Sequence, residues 1–140
     1  MKLLAYIDGS SKGNPGKAGY GIVVMDEKGN KLETVSQYIG QATNNVAEYR
    51  ALLGCLELTR KYRADFLVVY SDSQLLVNQI SGTYQVKKPH LQKLHTKVMR
   101  FLEEGSISLE ISHVPRGKNK EADKLARQAV RRRSLEGLSA

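Results

Sequence analysis

Phe66 to Tyr70 reads FLVVY, an unbroken apolar run too short to make a helix. Such a run is the mark of a strand covered on both faces, as at the centre of a parallel sheet. Before it, apolar residues recur as Ala47, Ala51, Cys55, Leu58 and Tyr62, with Leu52 and Leu56 beside them. That is helical spacing with one buried face. A second short apolar run, Leu3 to Asp8 (LLAYID), opens the chain and is bounded by Gly9 and Ser10. Two buried strands with a helix between them imply a parallel pair joined by a right-handed crossover, so the expected class is α/β with helices on a mixed sheet.

The rest of the chain fills in around this unit. The glycines and proline of Ser10 to Gly19 read as loop, and Tyr20 to Met25 with Lys31 to Tyr38 read as an antiparallel hairpin about the turn chemistry of Asp26 to Asn30. Ser73 to Ile80 reads as a short helix. Pro89, the apolar face of Leu91, Leu94, Val98, Phe101 and Leu102, and Gly105 define another. Ile107, Leu109 and Ile111 alternate as a strand, and Asn119 to Arg133 closes the fold with a helix. With 140 residues there is room for one core. The expected division is a single domain over 1–133 and a loosely held tail at 134–140.

An apolar fraction of 41% and a charged fraction of 26% exclude disorder, collagen and coiled coil. The lone cysteine, Cys55, is expected in the core. The balance of 22 Lys+Arg against 14 Asp+Glu, a net charge of +8, favours a polyanion as partner. The leading apolar stretch stops at Asp8, too early for a secretion signal, and nothing approaches the roughly 20 apolar residues of a membrane span. A cytoplasmic protein with no membrane partner is expected.

Four carboxylates then stand out. Asp8 ends the first strand, Asp72 follows the FLVVY strand, Glu48 lies in the first turn of the first helix, and Asp123 in the first turn of the last. Each has a local explanation. Asp8-Gly9 is turn chemistry, Asp72 caps the next helix, Glu48 forms a capping-box variant with Asn45, and Asp123 meets the positive end of its own helix. Together they read differently, because ligands of open α/β sheets collect at the carboxyl ends of the strands. Four acids converging on that rim repel one another unless cations lie between them. Oxygen donors of this kind suit magnesium or manganese, and two such ions about 4 Å apart are suited to in-line attack on a phosphodiester.

The motifs Asp8-Gly9-Ser10 with Gly13-Asn14-Pro15-Gly16, Thr43-Asn44-Asn45-Val46-Ala47-Glu48, Ser71-Asp72-Ser73-Gln74, and Val114-Pro115-Arg116 with Asn119 and Ala122-Asp123 occur in order. Through them the chain resembles the type 1 ribonuclease H family over nearly its whole length. The resemblance implies a ribonuclease H-like five-stranded mixed sheet, strand order 3-2-1-4-5, with helices on both faces. It implies Asp8, Glu48, Asp72 and Asp123 as catalytic, metal-binding acids holding two Mg2+ ions, with Mn2+ as a substitute. The activity implied is endonucleolytic hydrolysis of the RNA strand of an RNA–DNA hybrid, leaving 3′-hydroxyl and 5′-phosphate ends. Asn14, Asn44, Asn45 and Gln74 match positions that touch the hybrid's minor groove, where the 2′-hydroxyl marks RNA. Thr43 matches a contact to a DNA-strand phosphate.

Two departures from the family pattern bear on rate and binding. Where many bacterial relatives carry a flexible-loop histidine, this chain has Arg116, as in an archaeal-like branch of the family; its alternative reading is a solvated basic loop. The basic protrusion of some relatives is missing, with only Ser81 to Lys88 in its place, so hybrid binding leans on other charges. Lys87, Lys88, Lys93, Lys97 and Arg100 form one cluster, and Lys118, Lys120, Lys124, Arg127, Arg131, Arg132 and Arg133 another. With the first strand starting at residue 2 or 3, no separate hybrid-binding domain is expected in front of it, and the chain is expected to be a monomer. The competing readings are a nucleic-acid-binding relative with negligible turnover, a nuclease acting also on double-stranded RNA, and a domain of a polymerase or transposase machine.

Overall fold

In the computed structural model the backbone is described for residues 1–139 and the side chains for 1–132, so the tail expected at 134–140 lies outside the described side chains. Five strands, β1 (Lys2–Gly13), β2 (Gly16–Met25), β3 (Lys31–Ala42), β4 (Phe66–Ser71) and β5 (Ser108–His113), form one sheet in the order β3-β2-β1-β4-β5. Four helices accompany them: α1 (Asn44–Lys61), α2 (Gln74–Ile80), α3 (Pro89–Gly105) and α4 (Lys120–Ser139). β1 pairs parallel with β4, and β4 with β5, while β2 is antiparallel to both β1 and β3. The crossover through α1 therefore makes the parallel pair expected of it.

Alternation along β1 decides the two faces. Leu3, Ala5 and Ile7 are fully buried and join Leu52, Cys55 and Leu56 of α1, Leu67 and Val69 of β4, and Leu91 and Val98 of α3 in one core. Burial pushes the Cys55 thiol up to about 12, which leaves it an inert apolar group. On the opposite face α4 lies over β1 to β3 through Ala122, Ala126 and Ala129. It comes close because β2 is glycine-rich: a Cβ at Gly21 would press on the Ala122 carbonyl and lie 2.7 Å from Leu125 Cβ, and one at Gly19 would lie 2.9 Å from Ala129 Cβ. No described helix is long and apolar enough to cross a membrane.

One expectation is corrected. Ser10 to Gly19 is not loop: the β1–β2 ladder runs from Leu4↔Met25 out to Gly13↔Gly16, and only Asn14 and Pro15 make the turn. Gly16, Gly19 and Gly21 are there because neighbouring main chain or α4 occupies the space a side chain would need, not because the chain reverses.

Candidate active site

The parallel β1–β4 ladder ends at Ile7↔Ser71, and the next residues in reach on the two strands are Asp8 and Asp72. Asp72 thus leaves the carboxyl end of β4, whereas Asp8, expected to end the first strand, lies midway along β1, at the point where its parallel partner stops and β1 runs on against β2 alone. Glu48 arrives from α1. That helix is capped by Thr43, whose Oγ1 accepts the Val46 N–H at 3.2 Å, so Asn45 is not the cap and Glu48 is free of the capping-box role. Likewise Ser73, not Asp72, caps α2 by accepting the Leu76 N–H. Gly9 lets α1 dock against β1: a Cβ there would lie 2.6 Å from the Glu48 nitrogen and 2.7 Å from the Ala47 carbonyl carbon. The local roles that compete with a site for Glu48 and Asp72 are therefore filled by other residues.

Asp8, Glu48 and Asp72 form one group, with a carboxylate oxygen from each all within 4.8 Å of one another. Asp8 is 5% and Glu48 3% exposed. Burial first, then Asp72 and Asp123, push the Asp8 carboxyl up to about 8. Burial, then Asp8 and Asp72, hold Glu48 well above the usual carboxylate range. The Gly9 N–H donates to Asp8 Oδ1 at 3.0 Å, which relieves only part of this. Glu48 Oε2 is buried and accepts no hydrogen bond. Clustered, desolvated, anionic oxygen donors, one of them without a partner, fit a hard divalent cation, which would supply the missing ligand contact and reverse the repulsion.

The fourth acid stands beside this group rather than in it. Asp123 is near enough to help raise the Asp8 carboxyl, but its Oδ2 takes Arg127 Nη2 at 2.9 Å, one helical turn on. Arg116 sits in a short 3-10 turn, Arg116–Lys118, with Nε 3.8 Å from Asp72 Oδ2; its side chain is 90% exposed, so the pair is loose and the guanidinium is open to a second anion. An open cleft lined by Arg116, Lys120, Asp123, Lys124 and Arg127 leads away from the acids, which gathers part of one basic cluster there. Arg133 of that cluster lies outside the described side chains. In the other cluster, Lys97 and Arg100 face a groove between α1 and α3 together with Arg50 and Arg60, where Glu57 and Glu104 offset only part of the positive charge.

The residues matched to substrate contact lie on the elements that carry the acids. Asn14, in the β1–β2 turn, accepts the Asn44 N–H at 3.0 Å and ties that turn to the start of α1. Asn14, Asn44 and Gln74 are exposed, and Thr43 and Asn45 half-buried. Gln74, two residues past Asp72, donates to Asn78 at 3.2 Å. One residue that sequence motifs named without a role is deeply engaged: Asn119, 1% exposed, donates Nδ2–H to the Ile7 carbonyl at 2.8 Å.

Comparison with known proteins agrees with this geometry. The family model described as reverse transcriptase-like matches residues 6–129. The chain is 42% identical over 131 residues to a bifunctional protein of Mycobacterium tuberculosis, covering 93% of this chain and 36% of that one. It therefore spans about a third of the length of that relative. It is 33% identical over 144 residues to a ribonuclease H of Prosthecochloris aestuarii, covering 93% of this chain and 96% of the relative. Among solved structures, LC11-RNase H1 in complex with an RNA/DNA hybrid superposes with a TM-score of 0.88 at 41% identity, covering 93% of this chain and 97% of the other.

Proposed function

Because this chain belongs to the ribonuclease H family, we propose that it is a metal-dependent endoribonuclease that hydrolyses the RNA strand of RNA–DNA hybrids to 3′-hydroxyl and 5′-phosphate products. The observation that carries the reading is the gathering of Asp8, Glu48 and Asp72 at the end of the parallel strand pair. Those three acids and Asp123 would hold two Mg2+ ions, with Mn2+ as a substitute. Ions bound there supply a water activated for attack and neutralise the charge that builds on the scissile phosphate.

The chain's own residues do the rest. Asp8 and Glu48 hold their carboxylates rigid through burial. Asn14, Asn44, Asn45 and Gln74 offer amide donors and acceptors to the minor groove, where only the RNA strand presents a 2′-hydroxyl, and Thr43 faces a DNA-strand phosphate. Arg116 pairs with phosphate oxygens and, always protonated, does not act as a base. The chain is proposed to act as a monomer. The net charge of +8 favours the polyanion.

The test is a panel of end-labelled RNA–DNA hybrid, duplex RNA, duplex DNA and single strands, each with magnesium, with manganese and with chelator. The expected result is cleavage of the hybrid's RNA strand that requires the metal. Hybrid bound but uncut would turn the reading into that of a binding protein. Faster cutting of duplex RNA would change the substrate.

A further inference from the structure

Asn119 stands immediately before α4, where the side-chain oxygen of an asparagine ordinarily accepts an N–H of the helix's first turn. It does not do so here. Asn119 Oδ1 is buried and accepts nothing, while Nδ2 donates to the carbonyl of Ile7, 112 residues away in the chain. Turning the amide over would set Oδ1 against that carbonyl, oxygen to oxygen, so the orientation is fixed by chemistry. A buried acceptor left without a partner is a cost, and native structures keep such costs where something else depends on the arrangement.

What depends on it is visible in the bonds around the residue. Ile7 is the last β1 residue of the parallel ladder and directly precedes Asp8. The Asn119 carbonyl accepts the Asp123 N–H at 3.1 Å, and the Asn119 N–H donates to the Arg116 carbonyl at 3.0 Å. One residue therefore joins the strand that carries Asp8, the helix turn that carries Asp123 and the loop that carries Arg116. Among the described residues, the other side-chain ties near this end of α4, the exposed Lys31–Glu121 ion pair and the Ser36 hydroxyl donating to the Leu125 carbonyl at 2.6 Å, both run to β3 and neither reaches the strand that carries Asp8. Asp123 is itself drawn towards Arg127. Packing of Ala122 and Ala126 holds the helix on β2, and the Asn119 bond is the side-chain tie that sets its first turn against the strand of Asp8.

We propose that Asn119 is a positioning residue, whose side-chain bond to the Ile7 carbonyl holds Asp123 and Arg116 against the Asp8, Glu48 and Asp72 cluster. It deepens the nuclease reading and rests on it. It also predicts weaker cation binding without any nucleic acid present, because a displaced Asp123 no longer contributes its charge at Asp8.

The test uses Asn119→Ser and Asn119→Asp. Both replacements are as good as asparagine at a helix start, so a residue that served only to cap α4 would lose nothing. Serine is too short to make the bond, and aspartate can make it only by taking up a proton, so a rate that falls as pH rises in the Asp variant alone reports the same bond. Rates on hybrid are read well below each variant's melting temperature, beside calorimetric titration of the protein alone with Mn2+. The expected result is a fall in kcat of about tenfold or more with KM nearly unchanged, and weaker Mn2+ binding in both variants. The Ser variant is decisive, since it adds no charge of its own and cannot replace the bond. Wild-type kcat and wild-type Mn2+ affinity in both variants overturn the proposal, as does a loss confined to KM. If the wild-type chain fails to cut hybrid, the nuclease reading falls while the Mn2+ titrations still decide the role of Asn119.

Discussion

Replacing Asp8 by Asn removes one charge from the acid cluster while keeping the shape of the side chain and its acceptor for the Gly9 N–H. The Asp8 carboxyl is pushed from 3.8 up to about 8 in the metal-free fold. A folded value above the unfolded one means the native state holds the proton more tightly. The stability it contributes is full below about pH 4 and is lost as pH rises towards 8. At about 1.4 kcal/mol per unit, the whole span sets a ceiling of about 6 kcal/mol. Asp8 and Glu48 titrate together, so removing one carboxylate recovers a fraction, on the order of 2 kcal/mol. For a chain of this size that is a rise in melting temperature of roughly 6 °C. The assay is thermal unfolding of wild type and Asp8→Asn in chelator at pH 8 and pH 5. The variant is expected to melt higher at pH 8, with the gap closing at pH 5, and to cut no hybrid. Magnesium should raise the wild type and narrow the gap, since a ligand that binds only the folded state stabilises it. A variant that melts at or below wild type at pH 8, or a gap that ignores pH, would refute the argument that these acids repel.

Other outcomes follow from the same geometry. Arg116→Ala should lower kcat and leave hybrid affinity and its salt dependence unchanged, because the guanidinium meets an anion only at the acid cluster; steady-state rates beside binding at two salt concentrations test this, and a lost unit of salt slope would make it a backbone anchor instead. Gly21→Ala should push α4 off the sheet, costing about 2–3 kcal/mol by overpacking and reducing cleavage with it, measured by denaturant unfolding and rate; a neutral effect would mean that α4 yields without strain. Asn14→Ala frees the Asn44 N–H and should narrow the preference for hybrid over duplex DNA, so an unchanged rate ratio would remove Asn14 from groove reading.

The elements that a one-dimensional pattern can carry were legible. FLVVY and LLAYID become β4 and β1, and the helical stripe from Ala47 becomes α1, because burial on a given face dictates residue type at a fixed period. Asp8, Glu48 and Asp72 were legible as a group once the parallel crossover was inferred. Ser10 to Gly19 misled because glycine has two uses, chain reversal and close approach: the first applies at Gly13, whose φ of 95° leads into the Asn14–Pro15 turn, and the second at Gly16 and Gly19. The caps were shifted by a residue or two, Thr43 for Asn45 and Ser73 for Asp72, since several neighbouring residues had cap chemistry and the chain path chooses among them. The offset of Asp123 towards Arg127 and the reach of Asn119 to Ile7 depend on where α4 lands on the sheet, which no local pattern encodes.

The bare Cα of Gly9 sets a length scale. Main chain of α1 touches main chain of β1 there, so the span between the Asp8 and Glu48 backbones is gauged by the contact of polypeptide on polypeptide and not by the fit of exchangeable side chains. Substitutions through the core around Leu52 or Leu56 can drift in volume without opening that jaw, while a single methyl group at position 9 wedges it apart. The site thus inherits its tolerance from the part of the molecule that varies least in size, the peptide unit itself.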